Sequence, residues 1–398
     1  MDINNLLQEI RKAAPYMAES YCIVNGSIMN LNEVQNMGYD EFNLRAKQKM
    51  PLKLYKYFPN TLTDLTDENT GKPIIDQVTG KVKTVNYSMQ ALKNNTVFMQ
   101  SPTLFDDIYD SDINLDYSEY EKARLLEYCR RCEIAVTEKM ETQELGNRLI
   151  NEILKLFQSK RNFDSLFKRA PATESENLSN QCFLLKLKKE LNRNNDLAMA
   201  LKNVILSDFE IYSKYLQNVF RATCFATTPY SQLMWGGSYA NCHKGFCVEY
   251  TVLSNDPSYQ KLFLNLFPMV YCKVRPNMTD RLVKLEDKEP TKELLWDIYF
   301  HGALRKSIDW AFQDEWRLLL PMKNNLESKD YCVPFFPITK VFLGSRMPQV
   351  ARKEIIQICH EKHIPYIGVT RKSNVFEMQE CIVKCEDCPK YIENTENN

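Results

Sequence analysis

The densest group of residues able to do chemistry is CFATTPYSQLMWGGSYANCHKGFCVEY at 224–250. Trp235, Tyr239, His243 and Lys244 fall in a turn between two strand-like runs, directly after which Gly245 begins the second run. Aromatic rings beside a histidine and a lysine can form the polar wall of a pocket over an apolar floor, with His243 as its candidate catalytic group. The plainer alternative makes Met234, Trp235 and Phe246 core residues and leaves His243 to cap a turn. A second group is acidic. TLFDDIYDSD at 103–112 carries Asp106, Asp107, Asp110 and Asp112. Together with Glu249 or Glu315 these carboxylates could hold Mg²⁺ for phosphodiester cleavage. As an ordinary loop, the same stretch would use Asp106 or Asp107 to cap a turn.

Near the C-terminus, Cys381-x3-Cys385-x2-Cys388 follows Cys359, His360 and His363. Cys359, Cys381, Cys385 and Cys388 are a possible soft ligand set for zinc, but only half of a paired C-x2-C module is present, so no metal is assigned. Cys129 and Cys132 lie in a helical pattern and read as packing. The basic run KLKKELNR at 186–193 alternates with leucines at helical spacing. That is the solvated face of an amphipathic helix, with a nucleic-acid target as the alternative. No Ser/His/Asp or Cys/His arrangement stands out.

Composition limits the classes. The chain has 398 residues, with 51 Lys+Arg against 51 Asp+Glu. A zero formal charge argues against a globally basic nucleic-acid or membrane-surface protein. Hydrophobic residues at 44% support a sizeable core. Glycine is scarce, 11 in all, and neither a G-x-G-x-x-G nor a Walker-type loop occurs, which disfavours a P-loop NTPase or a standard Rossmann domain. Thirteen scattered cysteines do not resemble a disulfide framework. The N-terminus lacks the basic start and apolar run of a signal peptide, and no apolar run is long enough to span a membrane. A cytoplasmic, reducing location with no membrane partner is expected.

These residues need elements to hold them. Residues 1–50 read as a helical arm (Leu6, Ile10, Ala14) followed by polar connection, and 51–116 as the first part of an α+β core. That part holds the strand LYKYF at 54–58, a polar loop or hairpin at 60–86, a helical turn at 88–93 and a strand at 96–100. From 117 to 220 the periodicity is helical (Leu149, Ile153, Phe157; Leu197, Leu201, Val204), which predicts a helical insertion. Residues 221–384 read as the second part of the core. Strands are expected at 223–227, 245–250, 269–274, 316–320, 330–335, 338–344, 365–370 and 375–383, with a helix at 349–363; 385–398 reads as a tail. The fold class is α+β with a mixed or antiparallel sheet.

Taken in order, LYKYF, VFMQSPTLFDDIYDS, CFAT, LMWGGSYANCHKGFCVEY, WAFQDEWRLLL and ITKVFLG resemble the bacterial domain-of-unknown-function 2971 family. Its pattern runs K-Y, F-S-x-P-x-x-F-N-D-P, C-F-S, M-W-x-x-Y-A-x-x-H-x-G-x-C-x-E-F, W-x-x-E-x-E-W-R and I-x-x-V-x-L-G. The resemblance covers about residues 50–345. Here the N-D-P triplet is Asp106-Asp107-Ile108, so the carboxylate of Asp107 is retained, and the third residue of C-F-S is Ala226. The order of an aromatic and basic first strand, a central aromatic segment and a late E-W-R-L strand is also similar to the ADP-ribosyltransferase layout. That similarity implies NAD as a substrate, held and cleaved without a glycine-rich loop. Tyr55 or Tyr57 would face nicotinamide, Lys56 or Arg317 the pyrophosphate, and Glu315 the ribose hydroxyl at an oxocarbenium-like centre. Trp235 and Tyr239 would complete the binding surface, with His243 and Asp107 as further catalytic candidates. For Glu315 the plainer alternative is a surface salt bridge with Arg317. Segments 54–58, 101–110 and 224–250 are expected to meet around one cleft with Glu315. The resemblance suggests an effector in phage defence or a toxin-like system. A non-catalytic sensor or partner-binding protein and a metal-dependent nuclease are the alternatives.

Overall fold

The computed structural model describes residues 19–67, 70–159, 165–172, 174–214, 219–287, 291–321 and 331–381. Two sheets carry the site. The larger has five strands, in the order Met378–Glu380, Tyr366–Arg371, Ile338–Leu343, Phe246–Thr251 and Lys53–Phe58. Only Tyr366–Arg371 and Ile338–Leu343 run parallel, joined by the helix Gln349–Glu361 as a parallel connection requires. The smaller sheet is antiparallel, in the order Phe220–Phe225, Trp316–Pro321 and Leu266–Pro268. An isolated bridge joins the sheets: Tyr55 N–H donates to Ala226 O at 2.9 Å, and Ala226 N–H donates back at 2.7 Å. The fold is α+β with mixed sheets.

Strand alternation sorts the side chains. On Lys53–Phe58, Leu54 and Phe58 enter one core with Phe246, Trp316 and Leu318, while Tyr57 enters another with Trp235, Phe342 and Ile367. On Trp316–Pro321, Trp316, Leu318 and Leu320 face the first core and Leu319 joins a third with Phe267 and Phe220. Arg317 shares the face of Leu319, so the strand delivers a charged residue to an otherwise apolar surface.

The chain from 19 to 50 differs from the expected arm and polar connection. It forms a hairpin, Tyr21–Val24 with Ser27–Asn30, which joins Val270–Cys272 and Arg305–Ser307 in a four-stranded sheet. Two short helices follow, Leu31–Gln35 and Tyr39–Gln48. The reason is local: Asn25 and Gly26 both take positive φ, 48° and 69°, as a two-residue hairpin turn demands. Leu6, Ile10 and Ala14 lie outside the described residues, as does the tail from 382 onward.

Between the two halves of the sheets run the helices Tyr117–Arg131, Thr142–Gln158, Glu174–Asn194 and Leu197–Ser213. They share a core of their own, which includes Tyr120, Leu149, Ile153, Phe183, Leu187 and Leu201. The leucines of the KLKKELNR segment explain its helical spacing: Leu187 is fully buried there. Phe220, counted with the helical block from sequence, is instead the first residue of a strand.

Candidate functional site

Arg317 is the centre of the strongest polar constellation. Its side chain is fully buried, and every nitrogen is used. Nη1 and Nη2 grip the two carboxylate oxygens of Asp110 at 2.7 Å each, Nη1 also donates to Ala303 O at 2.9 Å, and Nε donates to Glu315 Oε1 at 2.8 Å. A planar fork on a carboxylate is the geometry that guanidinium provides and ammonium cannot. The Phe105 ring covers the guanidinium, with its centroid 5.1 Å from Cζ.

Lys306 adds a second buried cation. Its Nζ donates to Gln313 Oε1 at 2.9 Å and lies 3.4 Å from Glu315 Oε2 and 3.7 Å from Asp110 Oδ2. Two cations and two carboxylates therefore balance. Gln313 in turn donates to the Tyr239 hydroxyl at 2.7 Å, and the Tyr271 hydroxyl accepts the Glu315 backbone N–H at 2.8 Å. On the other side, Lys56 donates to Thr223 Oγ1 at 2.7 Å and to Cys224 O at 3.2 Å, and the Cys224 thiol feels the charge of Glu315. Lys56, Cys224 and Tyr239 are half-buried, so they form the solvent-facing part of the network.

The electrostatics follow. Burial would push the Glu315 carboxyl up, but Arg317 and Lys306 hold it well below the usual carboxylate range. Burial works against the Lys306 charge as well, and Glu315 and Asp110 more than offset it, raising its pKa. The Cys224 thiol is pushed up to about 12 by burial and by Glu315, so it stays a thiol and not a thiolate. Burial lowers the pKa of Lys56.

The sequence candidates separate into two sets. Lys56, Tyr239, Glu315 and Arg317 meet in this network. The side chains of Tyr55, Tyr57, Trp235, His243 and Asp107 show no hydrogen bond to it among the described residues, and each has another task. Tyr55 and Tyr57 sit on the opposite face of their strand from Leu54 and Phe58. The Tyr55 hydroxyl donates to Glu249 Oε2 at 3.0 Å, and the Tyr57 hydroxyl donates to Thr228 O at 2.9 Å and accepts the Ser231 N–H. The Trp235 indole is fully buried and donates to Pro229 O at 2.7 Å. His243 stacks on Trp235 with ring planes 8° apart, and its backbone bonds Trp235 and Arg346. Burial and Arg346 lower its pKa.

The turn holding His243 is tight. Asn241, Cys242 and His243 all have positive φ, and a Cβ at Gly245 would lie 2.0 Å from Phe58 O. Asp107 Oδ1 accepts the Tyr109 N–H at 2.9 Å, which shapes the loop that delivers Asp110. The single cleft expected for Lys56, Asp107, His243 and Glu315 is thus only partly formed: Lys56 and Glu315 come near each other, while the 241–243 turn commits His243 to Trp235 and Asp107 accepts within its own loop. The surface salt bridge considered for Glu315 is also corrected: the pair with Arg317 exists, but Glu315 is only 4% exposed.

The acidic loop divides its carboxylates instead of pooling them. Asp106 accepts from Ser238 Oγ at 3.1 Å, Asp110 binds Arg317, and Asp112 pairs with Arg275 at 2.6 Å. Glu249 is held by Lys53, Tyr55 and Thr339. Among the described residues no group of three His, Cys, Asp or Glu side chains is placed to hold a metal. Cys359 is buried and Cys381 half-buried, while Cys385 and Cys388 lie outside the described residues. Sequence reasoning missed Lys306, Gln313 and Cys224 as network members, and named Asp110 only as part of a metal-binding loop. No helix among the described residues is long and apolar enough to cross a membrane. Comparison with protein-family models, curated proteins and solved structures finds no match to this chain.

Proposed function

We propose that the protein is an enzyme acting on a nucleotide of the NAD type, by ADP-ribosyl transfer or NAD cleavage. Glu315 is its central carboxylate, Lys56 and Arg317 are the cations around it, and Tyr239 is the aromatic surface. One observation carries this: Lys56, Tyr239 and the Glu315–Arg317 pair come from three separate segments and gather around one carboxylate. The resemblance to the domain-of-unknown-function 2971 and ADP-ribosyltransferase families belongs to the same proposal. So does a role as a cytoplasmic effector in defence or a toxin-like system. The eleven described cysteines are all free thiols, which suits a reducing compartment.

In such a reaction the bond from ribose carbon to nicotinamide nitrogen breaks, and its electron pair leaves with nicotinamide. Positive charge then develops at the ribose carbon until water or an acceptor nucleophile supplies a new pair and loses its proton. An ionised carboxylate beside the ribose stabilises that charge. Arg317 and Lys306 keep Glu315 ionised into the acid range. To accept a ribose hydroxyl, Glu315 exchanges the 3.4 Å Lys306 contact, the longer of its two ion pairs.

A second function, a non-catalytic sensor or partner-binding protein, is favoured by the burial and complete pairing of that carboxylate. NAD loss and NAD binding, measured on wild type and Glu315→Gln, separate the two. Turnover that depends on Glu315 supports the enzyme. Binding without turnover supports the sensor.

A further inference from the structure

A cavity of about 440 Å³ is lined by Lys306 but by neither Gln313 nor Glu315. Its lining includes Lys273, Arg275, His301, Arg305 and Lys306, against one carboxylate, Asp112. Most of these charges are already matched: Lys306 in the network, Arg275 by Asp112 at 2.6 Å, and Lys273 by Glu19 at 3.4 Å. Arg305 is different. It is 6% exposed, and its Nε, Nη1 and Nη2 all lack a hydrogen-bond partner among the described residues.

The surroundings of Arg305 supply no counter-ion. Its guanidinium lies over the Phe300 ring, 5.6 Å from the centroid, and faces the thiols of Cys22 and Cys272. Burial pushes the Cys22 thiol up to about 12, so it carries no charge. The carboxylate that acts on Arg305, Asp297, is already shared by Arg281 and His301, the latter at 2.9 Å from Nε2. His301 Nδ1 is a second buried nitrogen without a partner on the same cavity wall. A buried, unpartnered guanidinium is costly unless something anionic meets it.

We propose that this cavity binds a phosphate-bearing small molecule, with Arg305 as the central donor, His301 beside it, and Lys273 and Arg275 at the rim. A phosphate group presents three or more acceptor oxygens, one for each of the three Arg305 nitrogens, whereas a carboxylate has two, which the nitrogens would have to share. The volume falls within the range of about 300–1,000 Å³ usual for small-molecule sites. The site shares Lys306 with the Glu315 network but does not depend on NAD chemistry.

Calorimetric titration of the whole chain with inorganic phosphate and with pyrophosphate, at ionic strength fixed with chloride, tests this. Wild type binds at least one of the two saturably. Arg305→Met binds at least about tenfold more weakly. Without anion the variant unfolds at the wild-type midpoint or above, because a methionine replaces an unpartnered buried charge. Lys273→Ala, at an exposed position, weakens binding only a few-fold. Should Arg305→Met fail to fold, Arg305→Lys decides: loss of the fork must weaken binding about tenfold. No saturable binding by wild type overturns the site, as does binding left unchanged by either Arg305 variant.

Discussion

Replacing Asp110 by Asn removes one of the two negative charges that balance Arg317 and Lys306. Both oxygens of Asp110 accept from Arg317 at 2.7 Å, and the side chains of both residues are 0% exposed. Removing one partner of a buried ion pair costs about 3–5 kcal/mol, since the remaining charge is left without compensation. Asn keeps one acceptor oxygen, and Arg317 keeps Glu315 and the Ala303 carbonyl, which places the loss near the lower end, at about 3 kcal/mol. Urea unfolding followed by tryptophan fluorescence is a direct assay, because the fully buried Trp316 adjoins Arg317 in the strand. The unfolding midpoint should fall with little change in slope. Glu41→Gln is the control. Its pair with Arg45 spans 2.6 Å, but the two side chains are 51% and 52% exposed, so its loss should stay under about 1 kcal/mol. A loss for Asp110→Asn as small as that of the control would refute the buried, balanced network.

Acid titration provides a second test: because the folded-state pKa of Glu315 is depressed, its contribution is present above the unfolded value of about 4.3 and is lost as pH falls below it. Stability plotted against pH should therefore fall more steeply below about pH 4.3 in wild type than in Glu315→Gln, and parallel curves would contradict the assignment. At Gly245 a Cβ would meet Phe58 O at 2.0 Å, whereas at Gly236 nothing lies within 4 Å. Gly245→Ala should thus cost at least about 3 kcal/mol and Gly236→Ala no more than about 0.5 kcal/mol, as read by thermal melts of the two purified variants.

What the sequence revealed was the part encoded locally. The runs at 54–58, 96–100, 245–250, 316–320 and 338–344 carry strand patterns, and strands occur there, at Lys53–Phe58, Thr96–Met99, Phe246–Thr251, Trp316–Pro321 and Ile338–Leu343. The Tyr21–Asn30 hairpin was also written locally, in the Asn25-Gly26 dipeptide between the apolar residues Cys22–Val24 and Ile28–Met29, but each arm is too short to show a long alternating pattern. The site was legible only in pieces. Glu315 and Arg317 are two apart on one strand face, so their pairing could be foreseen, but their burial could not. Asp110 stands 207 positions from Arg317, and no spacing rule links them. Tyr55, Lys56 and Tyr57 looked like one binding strip because they are consecutive, yet alternation sends the tyrosines to one side and the lysine to the other. His243 looked reactive for its type, while its backbone conformation commits it to a turn against Trp235.

In the proposed function, the buried carboxylate at 315 does chemistry on an NAD-type nucleotide. The most direct measurement is the rate of NAD loss with wild type, Glu315→Gln and Asp110→Asn, each at a temperature where its melt shows it folded. Wild type should show measurable turnover. Glu315→Gln should lose about 10²–10³ in rate, the usual cost of removing an electrostatic stabiliser, and folded Asp110→Asn much less, because it weakens the same network but keeps the carboxylate. Equal rates for wild type and Glu315→Gln, or no NAD turnover by wild type, would contradict that proposal.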